Sequence, residues 1–199
     1  MMKMTYLVGV DEAGRGPLAG PVAVGVVVMP FTLKKALTKH AVKDSKKLSA
    51  KERDKWYRFL HRERRLGKIN FSTALVSHKI IDERGIVFAV RVGIKKCLSR
   101  LNLKPDSCQI LLDGSLKAPV KFKNQKTIIR GDETEPIIAL ASIAAKVRRD
   151  RYMIRLAKEY PHYNFEVHKG YGTALHYRQI KKHGLCTIHR LSFLTKGVK

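Results

Sequence analysis

The stretch LVGVDEAGRGPLAGPVAVGVVV, residues 7–28, decides the fold of this chain and raises the question of its function. The mainly apolar residues 5–10 predict a first strand, and the almost wholly apolar residues 22–28 predict a second strand that is covered on both faces. Two adjacent acids, Asp11 and Glu12, follow the first strand and precede a connector rich in glycine and proline. The pattern predicts a hairpin whose long turn begins with two carboxylates.

The chain as a whole is strongly basic, which makes that pair of acids conspicuous. Its 199 residues include 41 lysines and arginines but only 16 aspartates and glutamates, and the formal net charge is +25. Such a surface attracts polyanions, so nucleic acid is the first candidate partner. A basic protein that binds nucleic acid only loosely is the alternative that composition leaves open.

Length and residue usage narrow the class of protein further. Helical and strand-like patterns alternate, which favours an α/β fold, and 199 residues suit one compact domain. The three cysteines, Cys97, Cys108 and Cys186, are far apart and form no Cys-x-x-Cys pair, which argues against a zinc site and against disulfides. The sequence has no evident signal peptide or membrane span, so we expect a cytoplasmic protein.

Beyond the hairpin, helices and strands alternate with recognisable boundaries. Ser49 and Glu52 have capping-box spacing, and Gly67 is suited to end the helix that they begin. Thr134 is expected to cap a long helix with Pro136 in its first turn. The other predicted elements are strands at 69–75, 109–113 and 126–132, helices at 77–85, 86–101 and 173–183, and an irregular loop at 164–172.

Acidic residues end three of the predicted strands: Asp11 with Glu12, then Asp113, then Asp132. Ligands of open α/β sheets collect at strand ends, and carboxylates gathered there raise each other's pKa unless a cation compensates. Mg²⁺ and Mn²⁺ prefer oxygen ligands, so the sequence predicts a divalent-metal site that uses Asp11 and Asp113. Neighbours in a regular strand point to opposite faces, so Asp11 and Glu12 share that site only if the strand twists or ends between them.

These acids also have purely structural interpretations. Asp113 alone suits a turn, and Asp132 suits the start of a helix. Asp150, inside the predicted long helix, is a further candidate ligand, although its flanking arginines favour an ion pair on the helix surface. Ser142, Lys146 and Asp150 share one helical face. If that face borders the predicted metal site, Lys146 neutralises negative charge there.

Two glycine-flanked side chains are candidate substrate contacts. Arg15 lies between Gly14 and Gly16, in a spacing that matches neither a dinucleotide fingerprint nor a Walker A loop. The glycines let the backbone approach a sugar-phosphate closely; a tight turn with a solvated arginine is the alternative. Tyr171, between glycines in HKGYGT, either stacks on a sugar or base or covers a core edge. None of the eight histidines has catalytic spacing, and His189 is expected only to help the C-terminal tail pack.

Taken together, these motifs resemble the ribonuclease HII family of bacterial type 2 ribonucleases H. GVDEAGRGPLAGPV, DSKKLS, LLDG, ASIAAKVRRDR, HKGYGT and IHRLSF occur in the family's order and cover nearly the whole chain. The resemblance implies a ribonuclease H-like α/β fold, with a mixed central sheet flanked by helices. It implies a single catalytic domain over residues 1–199, in which residues 160–199 form a small C-terminal substrate-binding part of helices and loops.

The resemblance also implies roles for particular residues. The catalytic, metal-binding carboxylates are Asp11, Glu12, Asp113 and Asp132, with Asp150 as the alternative for the fourth. The substrate contacts are Gly14, Arg15, Gly16 and Tyr171 at the RNA–DNA junction, Lys46 at a phosphate, and Ser142, Lys146 and Arg190 on the same surface.

The implied activity is endonucleolytic cleavage of the RNA strand of RNA–DNA hybrids, and cleavage 5′ of a single ribonucleotide in duplex DNA. Two Mg²⁺ or Mn²⁺ ions are the implied cofactors, and the products carry a 3′-hydroxyl and a 5′-phosphate. The implied partners are these duplexes rather than a membrane, and the implied state is a monomer. A resolvase-like or integrase-like nuclease and a non-catalytic basic binding protein are the alternatives. Acids clustered where phosphate must approach argue against the second.

Overall fold

A computed structural model describes residues 5–35 and 48–194 of the chain, and within these residues one mixed sheet is flanked by helices. The strands are β1 (Tyr6–Ala13), β2 (Val22–Pro30), β3 (Asn70–Val76), β4 (Cys108–Asp113) and β5 (Gln125–Ile128). The α-helices with both ends described are α1 (Ala50–Arg65), α2 (His78–Arg84), α3 (Ile86–Arg100), α4 (Gly131–Thr134), α5 (Pro136–Glu159), α6 (Phe165–His168), α7 (Ala174–His183) and α8 (Leu191–Leu194).

The strand order across the sheet is β3-β2-β1-β4-β5. β1 is antiparallel to β2 and parallel to β4, and β4 is parallel to β5. The predicted hairpin and the predicted mixed α/β architecture are both confirmed. Because β1, β4 and β5 run in the same direction, their C-terminal ends meet at one edge of the sheet, which is where the acids of the sequence motifs lie.

Helices cover both faces of the sheet, as the apolar sequence of β2 predicts. Alternate residues of the strands pack on α2 and α3 on one face, in a core that includes Val10, Val24 and Ile94. The other residues pack under α1 and α5, around Leu7 and Val27. Strand alternation therefore assigns each side chain at the sheet edge to either the α3 face or the α5 face.

Helix α5 lies unusually close to the sheet because two strand residues on its face are glycines. A Cβ on Gly9 would lie 2.4 Å from the Ile137 carbonyl oxygen, and one on Gly25 would lie 2.1 Å from the Ala141 carbonyl oxygen. Gly25 is also the residue that pairs with Asp11 across the β1–β2 ladder. The close approach at Ala141 therefore brings the next residue of α5, Ser142, beside Asp11.

We expect Gly25→Ala to lower the free energy of unfolding by about 1–3 kcal/mol, the usual cost of forcing an extra methyl group into a packed core. The new methyl group meets helix backbone, which yields only if α5 moves off the sheet. Urea unfolding measures the change. Gly16→Ala is the control, since a Cβ at Gly16 has no atom within 4 Å; equal losses for the two variants would contradict the close approach.

Several predicted boundaries are confirmed. The capping box of Ser49 and Glu52 opens α1, and α7 lies between its N-cap Thr173 and Gly184.

Other predicted boundaries are wrong. β1 continues to Ala13 instead of stopping at residue 10. β5 ends at Ile128, because the backbone of Arg130 adopts the left-handed conformation and turns the chain into the short helix α4. The N-cap of α5 is Glu135; the Thr134 hydroxyl instead donates to the Arg130 carbonyl. Part of the predicted loop 164–172 forms α6.

The segment after α5 folds back onto that helix and onto the β1–β2 connector. Leu18 and Ala19 from the connector pack with Met153 of α5, Phe165 of α6 and Ile180 of α7 in a third apolar cluster. This packing joins the Gly-Arg-Gly loop to the Tyr171 loop. In the described part of the chain, no helix combines the length and the apolar character needed to cross a membrane.

Candidate active site

Asp11 and Asp113 lie side by side at the edge of the sheet. Val10 of β1 pairs with Leu112 of β4, and these two acids are the next residues on the two parallel strands. Adjacent strands lie about 5 Å apart, and matched residues face the same way. Both side chains lie on the face that α5 covers, and Asp11 is buried, with 5% of its surface exposed.

Glu12 points to the opposite face of the sheet. β1 runs through both acids without ending between them, so the two side chains leave the strand on opposite faces; they still meet, because a hydrogen bond joins them and opposes the rise that burial causes in the pKa of Glu12. Glu12 turns toward the α3 face, where its Oε1 accepts a hydrogen bond from Arg15 at 3.2 Å. The carboxylates of Asp11 and Glu12 therefore approach each other past the edge of the sheet and not across one of its faces.

Electrostatic coupling shows that these acids are nevertheless close. Burial raises the pKa of Asp11 well above its ordinary value, and the charges of Glu12 and Asp113 raise it further, while a hydrogen bond to Ser142 acts in the opposite direction. Burial also raises the pKa of Glu12; Arg15 opposes that shift and Asp113 adds to it. Ionisation of Asp11 and of Glu12 therefore costs free energy unless a cation balances the negative charge at this edge of the sheet.

Asp132 is tied to Asp113 through the backbone. The Oδ1 atom of Asp113 accepts hydrogen bonds from the backbone N–H groups of Gly131, at 2.7 Å, and of Asp132, at 3.3 Å. Asp132 itself is fully buried. By contrast, Asp150 forms the predicted ion pair on α5, with its Oδ2 atom 3.4 Å from Nζ of Lys146. This geometry favours Asp132 over Asp150 as the partner of Asp113.

The carboxylates at the edge fit a hard divalent cation. Glu12 Oε2 is buried and finds no hydrogen-bond partner in residues 5–35 and 48–194. An oxygen of this kind, beside the carboxylates of Asp11 and Asp113, suits Mg²⁺ or Mn²⁺. The same residues include no group of three or more acidic, histidine or cysteine side chains already gathered into a metal cage.

The Gly-Arg-Gly loop rests on a buried arginine. Arg190 is fully buried, and its guanidinium donates to the carbonyl oxygens of Gly14 and Arg15 at 2.8 Å and of Gly20 at 2.9 Å. The structure therefore places Arg190 beneath the loop, not on the surface that substrate contact requires. Arg15 stays exposed on top, and beside it a side chain on Gly16 would meet open space.

Arg149 is a second buried arginine, and the sequence analysis did not single it out. It donates to the carbonyl oxygens of Ala19, Pro21 and Lys169, so it joins the two candidate substrate loops. Its guanidinium also fills the space that a side chain on Gly14 would need, 2.0 Å from the ideal Cβ. Helical spacing could have predicted that Arg149 is buried, because it lies four residues from each of two buried apolar residues of α5, Ala145 and Met153.

Tyr171 is partly exposed, with 40% of its surface accessible. Its ring centroid lies 5.6 Å from the guanidinium carbon of Arg149, a cation–π arrangement. The preceding Gly170 has φ +85°, and a Cβ there would lie 2.6 Å from the Ala19 carbonyl oxygen. The ring is thus supported from below and open above, as a stacking surface must be.

The remaining predicted contacts divide into three cases. Ser142 hydrogen-bonds Asp11 at the carboxylate edge, whereas Lys146 pairs with Asp150 one turn further along α5. Lys46 lies outside the described residues.

An open groove of about 390 Å³ continues from Tyr171 between α1 and α5. Its charged lining residues are Arg53, Asp54, Lys146, Asp150, Arg151 and Lys169.

Comparison with known proteins places the fold among the type 2 ribonucleases H. The ribonuclease HII of Archaeoglobus fulgidus, solved in complex with PCNA, is 26% identical, with a TM-score of 0.71 and 94% of each chain covered. The ribonuclease H2 of Pyrococcus horikoshii is 27% identical, with a TM-score of 0.71 over 94% of this chain and 93% of that one.

The sequence comparisons give the family. The family model for ribonuclease HII matches residues 8–196. The ribonuclease HII of Caldicellulosiruptor bescii is 46% identical over 189 residues, which are 95% of this chain and 86% of that relative. The chain belongs to the ribonuclease HII family, as its motifs predict. Its activity is that of an endoribonuclease, a hydrolase that cuts the RNA strand of RNA–DNA hybrids.

Proposed function

We propose that this protein also incises duplex DNA on the 5′ side of a single embedded ribonucleotide, with Asp11, Glu12, Asp113 and Asp132 holding two Mg²⁺ or Mn²⁺ ions. The observation that carries the proposal is the position of Asp11 and Asp113, neighbours on parallel strands beside the Gly-Arg-Gly loop and the Tyr171 loop. A single copy of the chain supplies all of these groups.

The carboxylates bind and orient the ions at the rim of the sheet. The chemistry that such ions supply is activation of a water molecule and stabilisation of the leaving 3′ oxygen, which gives a 3′-hydroxyl and a 5′-phosphate. Ser142 orients Asp11 through its hydroxyl. The backbone N–H groups of Gly131 and Asp132 orient Asp113 by donating to its Oδ1 atom.

The two loops select the site of cleavage. The backbone around Gly14 and Gly16 senses the 2′-hydroxyl, which is the group that separates RNA from DNA. Tyr171 packs beneath the next sugar, where a deoxyribose fits and a ribose is disfavoured. The basic groove beside Tyr171 follows the phosphate backbone, so we expect affinity to fall steeply with salt.

A cleavage assay tests the proposal directly. A DNA duplex with one ribonucleotide, labelled and mapped to the nucleotide, should give a single cut on the 5′ side of that ribonucleotide with Mg²⁺ or Mn²⁺ and none with chelator. A four-way DNA junction offered in parallel distinguishes a resolvase-like nuclease. Binding without any metal-dependent product would support the non-catalytic alternative and overturn the proposal.

Tyr171→Ala should lower cleavage at a single ribonucleotide by about tenfold to a hundredfold relative to cleavage of a long hybrid, given the usual contribution of an aromatic stacking surface. Steady-state rates on the two substrates measure the ratio. Tyr6→Ala is the matched control, because Tyr6 has a similar exposed fraction, 38%, and lies at the far end of β1. Equal losses on both substrates would indicate that Tyr171 only covers the core.

A further inference from the structure

Three buried histidines lie beneath Tyr171, and none has a part in the cleavage chemistry proposed above. They are His168, His176 and His189. The rings of His168 and His176 are stacked, with centroids 4.4 Å apart. The Nε2 atoms of His176 and His189 lie 3.1 Å apart. The cluster reaches the backbone of Tyr171 at one end and the tail motif IHRLSF at the other.

The hydrogen-bond partners favour one proton position on each ring between Tyr171 and Cys186. The Tyr171 carbonyl, 3.0 Å from His176 Nδ1, only accepts, so Nδ1 carries the proton and Nε2 of the neutral ring is a lone pair. His189 Nε2 must then be the donor across the 3.1 Å contact. His189 Nδ1 then accepts from the backbone N–H of Cys186 at 2.9 Å, the shorter of its two backbone contacts with that residue, since the Cys186 carbonyl oxygen lies 3.2 Å away.

Neutral rings are also what the surroundings favour. The pKa of His176 is lowered to about 4, chiefly by burial and also by the neighbouring His168 and His189. Burial lowers the pKa of His189 in the same way. With neutral rings, the Cys186 N–H donates to His189, His189 donates to His176, and His176 donates to the Tyr171 carbonyl.

We infer that His176 is a positioning residue for Tyr171, and that through its Nδ1–H it sets how far the tyrosine ring reaches toward the sugar after the 2′-hydroxyl. The Tyr171 backbone N–H is held by the His168 carbonyl at 2.9 Å, and Arg149 supports the ring. The Tyr171 carbonyl accepts from the Thr173 backbone N–H at 2.8 Å and from His176 Nδ1 at 3.0 Å, so His176 adds a side-chain donor from α7 to this group. The inference rests on the proposed role of Tyr171 in reading the junction.

The first test separates a positioning role from packing. His176→Phe keeps a buried aromatic ring but removes the donor to Tyr171, and it should lower the preference for a single ribonucleotide over a long hybrid by about fivefold to tenfold. His176→Asn, whose amide nitrogen stands near the position of Nδ1, should restore most of that preference. His176→Gln, whose amide stands near Nε2, should not. Restoration by glutamine alone would overturn the inference.

A double-mutant cycle supplies the second test. If His176 acts through Tyr171, His176→Phe should change the preference less than twofold when Tyr171 is already alanine. An undiminished effect in that background would overturn the inference. The matched control is His183→Phe, an exposed histidine on the same helix α7, which should leave the preference unchanged in both backgrounds.

NMR of the wild-type protein decides the matter even if His176→Phe fails to fold. Long-range ¹H–¹⁵N spectra should show the proton on Nδ1 of His176 and on Nε2 of His189; the reverse assignment for His176 would overturn the inference. The failure of the proposed function has a different signature. In that case the wild-type enzyme shows no preference for the junction, or Tyr171→Ala leaves the preference unchanged, whatever the histidine spectra show.

Discussion

Asp11→Asn should lower the rate of cleavage by at least about 100-fold, as the loss of a single preorganised charged group at a reaction centre commonly does, while duplex binding is retained. Asp11 lies beside Asp113 and faces Ser142 at the edge of the sheet. Its ionised oxygens are those that a divalent ion needs. Single-turnover cleavage of a hybrid and a separate binding titration in chelator measure the two effects.

The same substitution should stabilise the metal-free protein at neutral and higher pH. Because the pKa of Asp11 is raised in the folded state, the stability that its protonated form contributes is present below the pKa of the unfolded chain and is lost as pH rises through the folded pKa. Asparagine carries no charge, so the variant avoids this loss. Thermal unfolding in chelator should show the difference between the proteins shrinking as the pH is lowered.

Asp106→Asn is the control for both measurements. Asp106 is exposed and lies in the turn before β4, at the opposite end of the strand from Asp113. It should change neither the rate nor the stability measurably. Normal cleavage by Asp11→Asn with Mg²⁺ would show that the metal site is misassigned.

Arg190→Ala should lower the free energy of unfolding by about 3–5 kcal/mol, near the upper limit for a single substitution. It leaves the carbonyl oxygens of Gly14, Arg15 and Gly20 without their donor in a buried position, and each such loss is costly. The pKa of Arg190 is lowered to about 9, chiefly by burial and also by the neighbouring charge of Arg149. The guanidinium is therefore still charged at neutral pH.

Two further variants sharpen this prediction. Arg190→Lys keeps the charge but cannot reproduce the planar set of donors, so it should recover less than half of the loss. Arg100→Ala is the matched control, because Arg100 is exposed and donates to a single carbonyl, that of Thr73; it should cost less than about 1 kcal/mol. Urea unfolding compares the three. A loss for Arg190→Ala as small as that for Arg100→Ala would contradict the bracing role.

The sequence predicted the fold and the candidate site best where the structure depends on one local rule. The apolar strands and the acids that follow them predicted both the hairpin and the meeting of Asp11 with Asp113, because parallel strands bring matched ends together. The capping box of α1 was equally local. The opposite faces of Asp11 and Glu12 depended on where β1 ends, and pairing with β2 extends the strand to Ala13, which local propensity does not specify.

The arginines were harder to place because their partners lie far along the chain. Arg149 and Arg190 carry charge, so composition predicts exposure, yet both are buried on carbonyl groups of distant loops. Those carbonyls belong to every residue type and leave no pattern in the sequence. The histidine chain beneath Tyr171 was missed for the same reason, since its bonds run to backbone atoms and between segments 13 positions apart.

The bracing arginine also has a consequence for the order in which the enzyme matures. Arg190 follows Gly14, whose carbonyl it holds, by 176 positions. A ribosome therefore synthesises β1 and β4, which carry Asp11 and Asp113, before it reaches the residue that braces the Gly-Arg-Gly loop. The candidate carboxylates Asp11 and Asp113 are thus synthesised well before the side chain on which the braced form of the Gly-Arg-Gly loop depends.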